Sequence, residues 1–100
     1  MTPETVVRAA DGCVTERVGA EAVVWLTAER TLHLLDPAGA LVWGCIEGPT
    51  TVADLALRVA GLVEGDPARV RADVLDFLTM MAERSLIVRE GGGTGDEPIG

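Results

Sequence analysis

The dipeptide Asp-Pro occurs twice, at Asp36-Pro37 and Asp66-Pro67, and no other feature constrains this chain as much. An N-cap carboxylate accepts orphan N–H groups of the first helical turn. A proline at the next position lacks the N–H that would be orphaned there anyway. Each pair therefore predicts a helix start. After the first, Ala38, Leu41, Val42, Cys45 and Ile46 recur at helical spacing, and Gly48-Pro49 stops the run. After the second, Val70, Val74, Phe77, Leu78 and Met81 make an apolar face that runs to about Arg84. Between them a further helix starts at Thr50 or Thr51. Asp54 stands three residues beyond Thr51, in capping-box position. Its stripe is Val52, Leu55, Ala56, Val59 and Val63, and Gly61 or Gly65 ends it.

The first third reads as strands. Val14, Glu16 and Val18 alternate with Thr15 and Arg17. Residues 22–27 (AVVWLT) and 31–35 (TLHLL) are rich in strand formers, and the three residues between them give hairpin spacing, though without an Asn-Gly or Asp-Gly turn. Residues 86–88 make a short closing extended piece. The expected fold is α+β: a three-stranded antiparallel sheet followed by three helices. A hairpin alone is marginal in water, so helices must cover one sheet face. The last two helices, joined by Gly-Asp-Pro, form the helix-turn-helix pair. A length of 100 residues allows one domain. Residues 1–12 read as a flexible N-terminal arm and 13–90 as the folded domain. Residues 91–100 (GGGTGDEPIG) read as a disordered glycine-rich tail, because they cannot bury enough surface to offset their ordering entropy.

Composition removes several function classes. Sixteen acidic residues face eight arginines and no lysine, for a net charge of −8. Such a chain repels phosphate unless its arginines cluster. The helix expected from Asp66 to Arg84 carries Arg69, Arg71 and Arg84 against Asp66, Asp73, Asp76 and Glu83, so it lacks the phosphate-contact energy of a DNA-reading helix. Two cysteines, Cys13 and Cys45, make no disulfide framework and no CxxC; they read as buried small hydrophobes. The longest charge-free run, 37–46, is half the roughly 20 residues of a membrane helix. No basic start with an apolar h-region is seen, so the expected compartment is the cytoplasm.

Catalysis finds little support, and the expected role is not enzymatic. His33, the sole histidine, lies in a predicted strand, and Ser85, the sole serine, lacks a Gly-x-Ser-x-Gly setting. Asp73 and Asp76 read as a solvated face beside Arg69 rather than an acid–base pair. One His and two distant Cys offer no metal spacing, and the glycines make no phosphate loop; no metal or cofactor is expected.

What remains is an edge. A three-stranded sheet has two, and proteins blunt unused edges with lysine, proline or bulges. Residues 31–35 contain none of these and no charge. Such a strand accepts an extended peptide by β-augmentation, or a second copy of itself, if it is not already a paired central strand. The residues alone leave that choice open.

The segments LHLLDPAGALVWGCIEGPTTVADLALRV and DPARVRADVLDFLTMMAERSLI resemble the PqqD family, the pyrroloquinoline-quinone synthesis protein D group, also known as RiPP recognition elements. The matching pieces are Leu35-Asp36, 39–43, Glu47-Gly48, 51–56, 70–78 and Leu86-Ile87, spread over residues 29–88. Each is weak alone; their order and spacing carry the resemblance. One departure is Arg84-Ser85, where the family often has glycine before the last apolar pair. The resemblance implies a winged-helix-like domain that binds the leader of a ribosomally made precursor peptide. The leader is expected to add as a strand beside the third strand, in a cleft along the third helix. The domain then presents the peptide to a modifying enzyme, a radical-SAM protein or a leader peptidase of lasso-peptide pathways. Carried onto this chain, the strand side is Thr31, Leu32, His33, Leu34 and Leu35. The helix side is Val70, Arg71, Val74, Leu75 and Leu78, with Leu75 and Leu78 as apolar pocket and Arg71 as anchor for a leader carboxylate. Two other classes stay in play: a small interaction subunit of a biosynthetic enzyme, and a winged-helix DNA-binding regulator.

Overall fold

A computed structural model describes residues 1–90. The glycine-rich tail lies outside them. In chain order the elements are β1 (Val6–Ala9), β2 (Cys13–Val18), β3 (Glu21–Leu26), β4 (Thr31–Leu35), α1 (Pro37–Gly44), β5 (Thr50–Thr51), α2 (Val52–Ala60), α3 (Pro67–Glu83) and β6 (Ile87–Glu90).

The helix starts form as their caps dictate. The Asp36 side chain accepts from the Gly39 N–H at 2.8 Å, Thr51 Oγ1 from Asp54 at 3.0 Å, and Asp66 from Ala68 at 3.2 Å. Proline follows both aspartates at the first helical position. Helix α1 ends at Gly44, before Gly48-Pro49, because the N–H groups of Cys45 and Ile46 turn to Val42 and Trp43, three residues back. Its buried face is Gly39, Ala40, Val42 and Trp43, while Ala38 is exposed. The Trp43 indole N–H donates to Thr15 Oγ1 at 2.9 Å, which ties α1 to β2.

Strands β2, β3 and β4 form the antiparallel sheet expected, in that order. Ala22, Val24 and Leu26 face the helices and are buried. Val14, Trp25, Leu32 and Leu34 alternate onto the opposite, exposed face. A second small sheet, ordered β5-β1-β6, was not expected. It overturns the reading of residues 1–12 as a flexible arm. Val6 to Ala9 pair with Ile87 to Glu90, Val7 is completely buried, and Arg8 pairs with Glu90. Four residues are too few to show a period, and the partners that order them lie at the far end of the domain. The core lies between the two sheets and the helices, on Leu55, Leu78, Met81 and Leu86. Among the described residues no helix is long and apolar enough to cross a membrane.

Candidate functional site

Strand β4 is an edge: it pairs with β3 and with no other strand among the described residues. Its residues, TLHLL, include no proline and no charge. The opposite edge, β2, carries Glu16 and Arg17. So one edge is blunted by charge and the other is left free to pair. His33 hydrogen-bonds through Nε2 to Thr31 Oγ1 at 2.9 Å, on the helix-facing side of β4. That histidine is a strand side chain with a local partner.

Beside the end of β4 opens a cleft of about 690 Å³ between α1 and α3. This is the size of a small-ligand pocket. Leu34 and Leu35 enter its lining from β4, Leu41 and Val42 from α1, Val59 from α2, and Val70, Val74 and Phe77 from α3. A Cβ placed on Gly39 would stand 2.9 Å from Phe77 Cε1. Glycine at 39 is what lets the ring lie against α1. Charged groups stand among the lining residues: Asp36, Glu64, Asp66, Asp73, Arg69 and Arg84.

The structure brings together Leu34, Leu35, Val70 and Val74 of the residues expected from sequence. Thr31, Leu32 and His33 lie farther along the same free edge, Leu32 exposed, Thr31 and His33 half-buried. Leu78 does not reach the cleft; it is wholly buried in the core. Arg71 and Leu75 do not reach it either. They line a second cavity of about 360 Å³ on the opposite flank of α3, with Val52 and Ala56 of α2 and the first three residues of the chain. The residues of α3 and its C-cap that line the cleft and were not expected are Arg69, Asp73, Phe77, Met80 and Arg84. Helical spacing from Val70 and Val74 contains the signal, since 70, 73, 74, 77, 80 and 84 share one face. Leu75, off that stripe, lies on the other flank.

Neither thiol joins the cleft. Cys13 Sγ lies 3.9 Å from the Leu86 carbonyl, and Cys45 is buried. Burial pushes both thiols up from their ordinary value, which disfavours the nucleophilic thiolate. Among the described residues no group of His, Cys, Asp and Glu could hold a metal ion.

A helix-turn-helix pair packed beside an antiparallel sheet, with one free edge opening into an apolar cleft, defines a winged-helix-like domain suited to receive an extended chain. The family described as Coenzyme PQQ synthesis protein D (PqqD) matches residues 21–87, and this chain belongs to that family. The fold is also that of two solved structures. TbiB1 in complex with the TbiA(beta) leader peptide aligns with a TM-score of 0.69 at 24% identity, over 89% of this chain and 99% of that one. The PqqD truncation of Methylobacterium extorquens PqqCD aligns with a TM-score of 0.72 at 25% identity, over 89% and 95%. Its solution structure is described as a functional, stand-alone RiPP recognition element. No curated protein matches this chain closely enough to carry an argument.

Proposed function

We propose that this chain is a RiPP recognition element: a non-catalytic protein that binds the leader of a ribosomally made precursor peptide and presents it to a modifying enzyme. The observation that carries the reading is the free, uncharged edge of β4 opening beside a 690 Å³ apolar cleft. A leader strand laid against β4 gains backbone hydrogen bonds that any sequence can make, and the cleft supplies side-chain selectivity. Membership of the PqqD family supports this, as does the leader peptide bound to the similar TbiB1. The enzyme served is a radical-SAM protein or a leader peptidase, and the setting is the cytoplasm. An empty edge also pairs with itself, so the free protein is expected to self-associate weakly through β4 and to separate when the leader binds. DNA binding is disfavoured. Four carboxylates and two arginines border the cleft, and α3 offers no surplus of cations for phosphate.

The test is fluorescence polarisation with labelled synthetic leaders of candidate precursor peptides from the same genome. A dissociation constant of about 1 μM or tighter, roughly −8 kcal/mol, with a scrambled peptide far weaker, supports the reading. Proline is tolerated on an edge strand only where the lost N–H points outward. One of His33→Pro and Leu34→Pro therefore leaves the β3 ladder intact while breaking leader pairing. That variant should keep its helical circular dichroism and lose most of its affinity. Unchanged affinity in both would move the site off β4.

A further inference from the structure

Strand addition leaves a question open: what fixes the register of the added chain. Backbone hydrogen bonds are equivalent in every register, and a two-residue slip keeps the same side chains on each face. Leucine at 32, 34 and 35 offers little steric difference between one register and the next. Charge offers more. Of the six charged residues around the cleft, Asp36 and Asp66 are committed to N-cap hydrogen bonds. Arg69 Nε stands 4.0 Å from Asp73 Oδ2. Arg84 is the one cleft cation with no ion-pair partner among the described residues. It is exposed, caps the C-terminus of α3, and shares the cleft lining with Leu34 of the free edge.

We propose that Arg84 sets the register of the bound leader by pairing with one acidic side chain of that peptide. The proposal rests on the leader-binding reading and adds the chemistry the leader must carry. A guanidinium gives a carboxylate a charge-assisted, bidentate partner. Elsewhere around the cleft the same carboxylate meets Asp36, Glu64 or Asp66, or Arg69 with Asp73 already beside it. A slipped register therefore loses the attraction and gains repulsion, and specificity of this kind uses both. In the favoured register the leader's apolar side chains fall over Val74 and Phe77. The cleft accordingly selects a leader with an acidic residue at a set distance from its apolar anchor. Arg71 has the same charge but lies on the far flank of α3, so it provides a matched control.

The experiment is the same polarisation titration with Arg84→Glu and Arg71→Glu proteins, and with leaders in which each Asp or Glu is changed singly to Lys. Both arginines are exposed, so both variants should melt like the parent. Arg84→Glu should weaken binding about 10- to 100-fold, the range for a lost charge-assisted bond, and Arg71→Glu less than about threefold. One leader substitution should match the Arg84→Glu loss, and combining the two should restore most of the affinity. Equal effects of the two protein variants, or no leader acid that couples to Arg84, overturns the register role while leader binding stands. Failure of the parent protein to bind any form of the leader overturns the leader-binding reading itself.

Discussion

The two flanks of α3 start from similar material and end differently. On one flank Val70, Val74 and Phe77 look across an open cleft toward α1 and the free edge of β4. On the other, Leu75 looks toward α2 and the beginning of the chain. There Met1 packs against the core, the Val52 N–H donates to the Thr5 carbonyl at 2.9 Å, and that of Ala53 to Pro3 at 3.0 Å. The chain's own first residues thus satisfy the start of α2 and border the second cavity. An apolar flank served by its own chain contributes to stability. One left open beside an unpaired strand is available to a partner. Apolar character along α3 does not distinguish the two flanks; what borders each of them does.

The largest expected effect comes from removing residues 1–9. Strand β1 is the middle of the β5-β1-β6 sheet, so its loss leaves β5 and β6 without a partner and uncovers core around Val7. The cost should be at least about 4 kcal/mol, a large share of the stability of a small domain. The measurement is a thermal melt by circular dichroism. A truncated protein melting within a few degrees of the parent would make these residues dispensable and the two flanks alike.

Next in size is a paired truncation across α3. Leu75→Ala and Phe77→Ala each remove a half-buried apolar side chain, at about 1–2 kcal/mol, below the range for full burial. Chemical denaturation should show similar losses. Leader titration should separate them: Phe77→Ala weakens binding about tenfold or more, while Leu75→Ala leaves it unchanged once folded protein is counted. The reverse pattern would exchange the roles of the two flanks.

Local chemistry made much of this legible. Asp36-Pro37, Thr51 with Asp54, and Asp66-Pro67 each mark a helix start with side chains that act within one turn, and all three starts stand where the caps place them. The strand at 22–26 was equally readable from its β-branched and aromatic residues, although the face each one takes was not. Residues 6–9 were not readable, since their order depends on pairing with 87–90. The place of Leu75 depends on the same residues, because the second cavity that it lines is bordered by the start of the chain. Val70 and Val74 line the cleft because its lining continues the core stripe; Arg69, Phe77, Met80 and Arg84 follow only once the flank is known.

A smaller effect is expected at Ser85. It follows the α3 cap with φ of 63°, a left-handed conformation that costs a non-glycine residue about 1–2 kcal/mol. Ser85→Gly relieves the strain but frees the unfolded chain, for a net gain of about 0.5–1 kcal/mol. Because Arg84 keeps its place, leader affinity should not change. A drop in affinity at raised stability would mean that a tighter turn matters to the open flank.

The smallest effect concerns the two thiols, and it tests how far the open flank extends. Burial raises both above their ordinary value. Below pH of about 8.5 the thiols stay protonated folded or unfolded. As pH rises further the unfolded chain releases its protons first, so stability falls through that range and on toward the raised folded values. Denaturant melts of the parent between pH 7 and pH 10 should show this decline, and a Cys13→Ala, Cys45→Ala double variant should show less of it. At pH 8 both cysteines should react with iodoacetamide more slowly than a free thiol. Neither lines the cleft, so saturating leader should leave both rates unchanged. Protection of Cys13 would carry the leader beneath the sheet toward Leu86. Protection of Cys45 would carry it past α1 to the shallow surface that Cys45 shares with Arg17 and Arg58. Either result would enlarge the open side of the molecule at the expense of the side that its own chain closes.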